Sequence, residues 1–591
     1  MSTRALLPLA LVTAVTQAAA PAPSRFHAML ERYSAEYLRL FPIEAAINGD
    51  SDPSVQALWP NDLTPEFRAQ VATLCRKYLA ELARFDRKAL STNDRLSYDS
   101  LTWNLRLREE ATRQNLHLLP VNQFSCATLT FAQMGSGAFI HPFKTAQDYR
   151  DFLSRAQGFS AWVDSAIANL REGMAKGVVQ PRILMERVLP QLADLQKGEA
   201  EGNILFDPLK QLPASLDAAA QAKLAAEYRA GLNALALPAY ARLHAFIRDE
   251  YLPKCGDHSG LGALPGGPEA YRYLVRLQTT TDKTPEQIHA IGLAEVARIR
   301  GEMEAVKAKV GFQGTLAQFL SHVATDPKFA PFKTEQEVLD GYRALERRVM
   351  ARVPQLFGQV PKTPFEIRAT EAFRAATASA EYIAGAADGS RPGTFYVPIV
   401  DAAKMRTPRL GSLFLHEAIP GHHFQLSLAM ENQALPRFRR TDGSNAFVEG
   451  WALYCERLGD ELGVYDDPYQ TFGMLLADMH RAIRLVVDTG LHAKGWTREQ
   501  ALAYAADLEG GSPEAQIPEI ERYMANPGQA LGYKMGQLKF RELRSLGEHR
   551  LGKAFPLRDF HDEILRQGAL PLAVVDAHLR EWIRGKAPKA R

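Results

Sequence analysis

The stretch that most limits what this chain can become is Leu413–Gln425, LFLHEAIPGHHFQ, where three histidines and a glutamate crowd around a Pro-Gly pair. His416, Glu417, His422 and His423 are side chains suited to zinc, since neutral imidazole is a common ligand and an adjacent glutamate can take a proton from metal-activated water. In the usual HExxH arrangement both histidines share one helical face at i and i+4. Here Pro420 stands where the second histidine would fall. On an unbroken helix His422 would lie about 240° round from His416, and His423 nearly in line with it but about 10 Å along the axis. Nitrogens that far apart cannot share an ion whose bonds are about 2.0–2.1 Å long. The helix must break, and Pro420-Gly421 is the place where a turn brings a later histidine back. His422, directly after the glycine, is favoured over His423 as the second ligand.

Open zinc sites in hydrolases take two histidines and a glutamate and leave a fourth position for water. The segment SNAFVEGWALYCERL supplies Glu449, just inside a helix that Ser444 or Asn445 can cap. Its neighbours Phe447, Val448, Trp451, Ala452 and Leu453 are apolar, and a carboxylate in that setting requires a partner. The residues thus describe a zinc hydrolase: His416, Glu449 and His422 or His423 as ligands, Glu417 as general base.

Further along, ADMHRAIRLVVDTGLH sets Arg481, Arg484, Asp488 and His492 on one polar face of an otherwise apolar helix. Asp488 is the expected carboxylate behind a ligand histidine, and His492 and the two arginines are expected to reach substrate or take part in catalysis. The run SRPGTFYVPIVD, bounded by prolines, suits an exposed edge strand whose free backbone groups, near Phe395 and Tyr396, could pair with an extended peptide. It follows a segment, 369–387, that reads as helical.

Four motifs in order, LHEAIPGHHFQ, VEGWALYCERLG, HRAIRLVVDTGLH and NPGQALGYKMGQLKFRELR, resemble the bacterial family catalogued as domain of unknown function 885. Upstream segments LPVNQFS, HPFKTAQDYRDFLSR and TTTDKTPEQIHAIGLAEVARI extend the likeness over most of the chain. That family in turn resembles the helical zinc peptidases of the angiotensin-converting enzyme and thimet oligopeptidase type, although those carry an undistorted HExxH. The resemblance implies a mostly α, large helical metallopeptidase-like fold around a deep cleft, with a small β-sheet whose edge strand precedes the metal helix. It also implies that Tyr533 donates to the carbonyl oxygen as that oxygen becomes anionic; Lys534 and Gln529, in the same motif, are themselves expected to reach substrate.

Helical signals prevail elsewhere: apolar spacing over 26–46 and 67–85, and capping boxes opening at Thr284, Thr334 and Thr497. The buried stripe of the helix after Thr284 is Ile288, Ile291, Val296, Ile299, Met303 and Val306. Residues 1–20 have the layout of a signal peptide, too short for a membrane span, so 21–591 is expected to be an exported helical zinc-hydrolase domain. The Gly-rich 256–268 loop is the candidate joint between two lobes. A net charge of +3, from 70 basic and 67 acidic residues, offers no field for nucleic acid. Cys75, Cys126, Cys255 and Cys455 make no metal-binding spacing and do not fix a disulfide pairing.

The expected function is an exported zinc peptidase acting on short peptides. Two rivals keep the same residues: a zinc amidase of a non-peptide metabolite, and a non-catalytic exported binding protein.

Overall fold

The computed structural model describes residues 24–47, 52, 55–371, 375, 379–385, 391–441 and 443–587. The expected signal peptide lies outside them. The protein is mostly helical with one small three-stranded sheet. Among the described residues no helix is long and apolar enough to cross a membrane.

Local sequence sets many of the boundaries. Thr284 caps the Pro285–Lys309 helix through a reciprocal box with Gln287, and Thr497 does the same for Arg498–Glu509 with Gln500. Thr334 caps Glu335–Met350 by accepting from the Glu337 amide, while the Glu337 carboxylate turns to the Lys333 amide. The N-terminal helices fall at Arg25–Leu40, Pro42–Ile47 and Pro65–Leu82, close to the apolar periodicity. Most of the core is one continuous apolar cluster that draws on residues from Leu63 to Leu579, and a smaller cluster unites the N-terminal helices with Phe438.

Five helices frame the region of interest. Thr407–Glu417 packs against Pro468–Ala493 and Asn445–Glu456, the latter crosses Leu531–Leu551, and Pro285–Lys309 lies along Pro468–Ala493. The 445–456 and 531–551 helices meet at Gly450 and Gly536. A methyl group on Gly536 would stand 1.9 Å from the Ala446 carbonyl oxygen, so this approach admits no side chain.

Buried charge ties the same helices together. Lys534 is fully buried, and its Nζ donates to Asp478 at 2.6 Å and pairs with Glu295 at 3.0 Å. Asp478 also accepts from Arg457 at 2.5 Å, Gln537 at 3.0 Å and Arg298 at 3.2 Å. Lys534 is therefore a structural cation and does not meet substrate, contrary to expectation. Its burial follows from its position on the helix face that turns toward Asp478.

The sheet departs from expectation too. β1 (Phe365–Ala369) pairs in parallel with β3 (Gly393–Val397), and β2 (Glu381–Ile383) pairs antiparallel on the other side of β3. The strand read as an edge is thus the middle one. Pro392 and Pro398 fall just outside the paired register, where a missing N–H costs no ladder bond. Phe395 is fully buried against Tyr342, with ring centroids 5.2 Å apart, so it is core and no substrate contact. Tyr396 is half-buried and alternates to the opposite face. The segment read as helical over 369–387 holds β2, because its ladder with β3 outweighs the local helical preference. The Gly-rich loop reaches into the core: Leu261 N–H bonds His492. All four cysteines are free thiols.

The Lys534 network makes two predictions. Lys534→Met should strand part of the Asp478 charge and lower stability by about 3–5 kcal/mol, read from urea unfolding. Burial works to raise the pKa of Glu295, yet Arg298 and Lys534 bring it down to about 2, and Asp478 is likewise held low by Lys534 and Arg457 against its burial. Both folded values lie below the ordinary ~4 of unfolded carboxylates. Their stabilisation is present above about pH 4 and should be lost progressively as pH falls toward 2, which urea midpoints measured along that range will follow.

Candidate metal centre

The Thr407–Glu417 helix ends at the histidine cluster and a second helix, His422–Glu431, begins at once. Between them Ala418 and Gly421 leave helical dihedrals, and the Ile419-Pro420 bond is cis. The turn folds so tightly that a methyl on Gly421 would stand 1.9 Å from the His416 carbonyl oxygen and 2.4 Å from that of Leu415. The Pro420 carbonyl accepts from Trp451 Nε1 at 3.0 Å, which pins the turn to the 445–456 helix.

This fold-back brings His416 and His422 together, their ring centroids 4.9 Å apart. Their Nε2 atoms lie 3.4 and 3.6 Å from the same oxygen, Glu449 Oε2. Ligand atoms of His416, Glu417 and His422 all fall within 4.8 Å of one another. His416, His422 and Glu449 are the side chains that could hold a metal, with Glu417 alongside. His423 points elsewhere: its Nδ1 lies 2.9 Å from the Tyr382 hydroxyl of β2, its ring packs on Phe365 of β1 at 4.8 Å, and burial lowers its pKa to about 4.

Charge is distributed unevenly across the cluster. Burial opposes ionisation of His416, but Glu449 and Glu456 raise its pKa to about 9. Glu449 is held well below its ordinary value because the two imidazoles outweigh the effect of burial. In Glu417 burial wins and the pKa rises, only partly offset by the histidines.

Glu456 accepts from His416 Nδ1 at 2.8 Å and so turns Nε2 toward Glu449. Sequence reading gave this supporting role to Asp488 and missed Glu456, although Glu456 stands one heptad after Glu449 on the same helical face. Asp488 instead accepts from the Tyr271 hydroxyl at 2.5 Å and from the Gly528 amide at 3.0 Å. It fixes the turn leading into the helix of Tyr533, and burial raises its carboxyl to about 7 against those donors.

A family model described as "Bacterial protein of unknown function (DUF885)" matches residues 42–579. The chain belongs to this family. Two solved structures are similar to this DUF885 chain along their whole length. One, titled as a "putative lipoprotein" from Colwellia psychrerythraea, is 27% identical, with a TM-score of 0.86 over 95% of this chain and 99% of that one. The other, titled as a "putative lipoprotein of unknown function" from Shewanella oneidensis, is 20% identical, with a TM-score of 0.73 over 95% and 100%. Among curated proteins none matches.

The remaining expected residues of this DUF885 protein divide. Tyr533 is half-buried near Glu449, whose charge adds to burial in raising its phenol pKa. The Arg484 guanidinium lies 4.5 Å from the Tyr533 ring centroid and donates to the Tyr523 hydroxyl and Glu519, each at 3.0 Å. Arg484 therefore supports Tyr533 and is engaged on its other side. Gln529 accepts from Arg522 at 3.1 Å, beside Tyr533. Arg481 lies 3.8 Å from Glu456. His492 has no catalytic placement: Nδ1 accepts from the Leu261 amide and Nε2 donates to the Tyr523 carbonyl, both at 3.0 Å. A neutral imidazole satisfied at both nitrogens, with a pKa lowered by burial to about 4, is a core element.

Gly421→Ala tests the fold-back. Backbone oxygens cannot yield as a flexible side chain does, so the variant should lose at least about 2 kcal/mol, read as a lowered melting temperature.

Proposed function

We propose that this protein is an exported zinc-dependent peptidase that hydrolyses short peptides within an enclosed cleft. The observation that carries the reading is the convergence of His416 Nε2, His422 Nε2 and Glu449 Oε2 at 3.4 and 3.6 Å. Ligands about 2.0–2.2 Å from a tetrahedral ion stand roughly 3.3–3.6 Å from one another, so these distances suit zinc. They are too long for good hydrogen bonds, and Glu449 Oε2 is buried without one among the described residues. The donor set of two imidazoles and a carboxylate is that of an open hydrolytic site.

Zinc there would supply Lewis acidity, polarising a carbonyl and making water more acidic. The chain's own residues would do the rest. Glu417, beside the histidines, takes the proton of the attacking water and passes it to the leaving nitrogen. Tyr533 donates its phenolic hydrogen to the carbonyl oxygen as negative charge grows there. Glu456 holds the His416 tautomer and ring orientation. The resemblance of the sequence motifs to helical zinc peptidases is in keeping with the peptidase part of the reading, and the lipoprotein title of the 27% identical neighbour is in keeping with export.

Metal analysis of the purified chain and of Glu417→Gln, with both assayed on a mixed peptide library, tests the proposal. About one zinc per chain in each, with cleavage by the wild type alone, is the expected result. Zinc without cleavage by either would transfer the reading to a non-peptide amidase, and no retained zinc would end it. Tyr533→Phe should keep zinc and lower kcat about 10²–10³-fold. Glu456→Ala should weaken zinc affinity about 10–100-fold in a chelator competition.

A further inference from the structure

Away from the metal centre, a cavity of about 500 Å³ opens between three helices, Thr92–Ala111, Gly267–Thr279 and Leu572–Lys586. None of its described lining residues belongs to the helices that carry His416, His422 or Glu449. Asp99, Thr102, Trp103, Arg106, Leu107 and Glu110 line it from one face of the first helix, along about 16 Å at 1.5 Å per residue. Opposite them Ala573 and Ala577 lie one turn apart, and their small exposed side chains leave the gap. Leu107 and Val574, both buried, give the cavity an apolar floor.

Most charges on its walls are already engaged. Asp99 accepts from Arg87 at 2.5 and 2.7 Å, and Glu110 accepts from Arg276. Arg106 and Asp282 are left: both are exposed, they carry opposite signs, and neither makes a hydrogen bond or ion pair with the other or with any other described residue. The rim that carries Asp282 is fixed two residues earlier. Thr280 takes a left-handed conformation, φ 48°, which is uncommon for a β-branched residue. Its turn is strapped to the facing helix, since its hydroxyl accepts from the Leu572 amide at 2.8 Å and its carbonyl from the Ala573 amide at 3.3 Å. Such strain persists where the surroundings over-determine it, and here it holds one wall of the cavity in place.

A solvated surface charge needs no partner, but two opposite charges on the rim of one apolar-floored cavity complement a molecule that carries both signs around an apolar body. Arginine's planar fork suits a carboxylate, and a carboxylate suits an ammonium group. An extended peptide spans at most about 3.3–3.6 Å per residue, so 16 Å of helix face accommodates about four residues. We propose that this cavity binds free short peptides of up to about four residues, with the terminal carboxylate on Arg106, the terminal ammonium on Asp282 and apolar side chains resting on Trp103, Leu107 and Val574. Peptides of that size are also what the hydrolysis proposed above would release, but the site rests on its own geometry and not on that reading.

Calorimetric titration of the full chain carrying Glu417→Gln with the peptide Ala-Leu-Leu-Ala tests the site without turnover. Submillimolar binding is expected, weakened about fivefold by an N-terminal acetyl group or by a C-terminal amide, since each removes one solvent-facing ion pair. Arg106→Ala should erase the preference for the free acid and Asp282→Asn the preference for the free amine, each leaving the other preference intact. Ala577→Phe, which fills the cavity from an exposed position, should abolish the binding at an unchanged melting temperature. No binding below about 1 mM, free and capped peptides bound alike, or an affinity unchanged in all three variants would overturn the site; the last would put the peptide at the metal centre. A wild type that cuts no peptide but binds this one through Arg106 and Asp282 would end the peptidase reading and leave the site standing, and cleavage without such binding would do the reverse.

Discussion

Everything at the candidate centre depends on how closely the chain after Glu417 folds back on the helix it has just left. The His416 and Leu415 carbonyl oxygens stand where any side chain on residue 421 would have to go. Proline removes a helical donor at 420, glycine removes the obstruction at 421, and Trp451 takes up the carbonyl that the turn exposes. The outcome is a local geometry in which two histidines six positions apart face one carboxylate oxygen. An i, i+4 pair would need none of these devices.

Around that turn the polar groups form two sets with different work. Asp478, Lys534, Arg457, Arg298 and Glu295 neutralise one another and fasten three long helices together. His416, His422, Glu449 and Glu417 are left imperfectly matched, at distances that hydrogen bonding among themselves does not explain. Burying mismatched polar groups is costly, so such a cluster persists where a function or a bound group compensates it.

Sequence made the centre legible because its logic is local. The break at Pro420-Gly421, the choice of His422 over His423 and the approach of Glu449 could all be argued from helix geometry and ligand chemistry. Asp488, His492 and Lys534 were misplaced for a shared reason: a polar stripe on an apolar helix looks alike whether it lines a cavity or meets buried partners from distant segments. Tyr271, Gly528, Leu261 and Glu295 are those partners, and no spacing within the 468–493 or 531–551 helices announces them. The middle position of β3 was hidden similarly, since flanking prolines mark where pairing stops and leave open how many neighbours a strand has. Glu456 was within reach, a heptad from a residue already singled out.

Glu449 and Glu456 rise from one helix, itself held at van der Waals distance from the helix of Tyr533 through Gly450 and Gly536. The oxygen that meets both imidazoles and the oxygen that steers one of them are thus fixed to a single rigid rod. Any tilt of that rod carries both oxygens together, so first contact and its support cannot drift apart independently. Tolerance to thermal motion at this centre is therefore inherited from a glycine crossing between helices, one of whose glycines directly follows Glu449 in the chain.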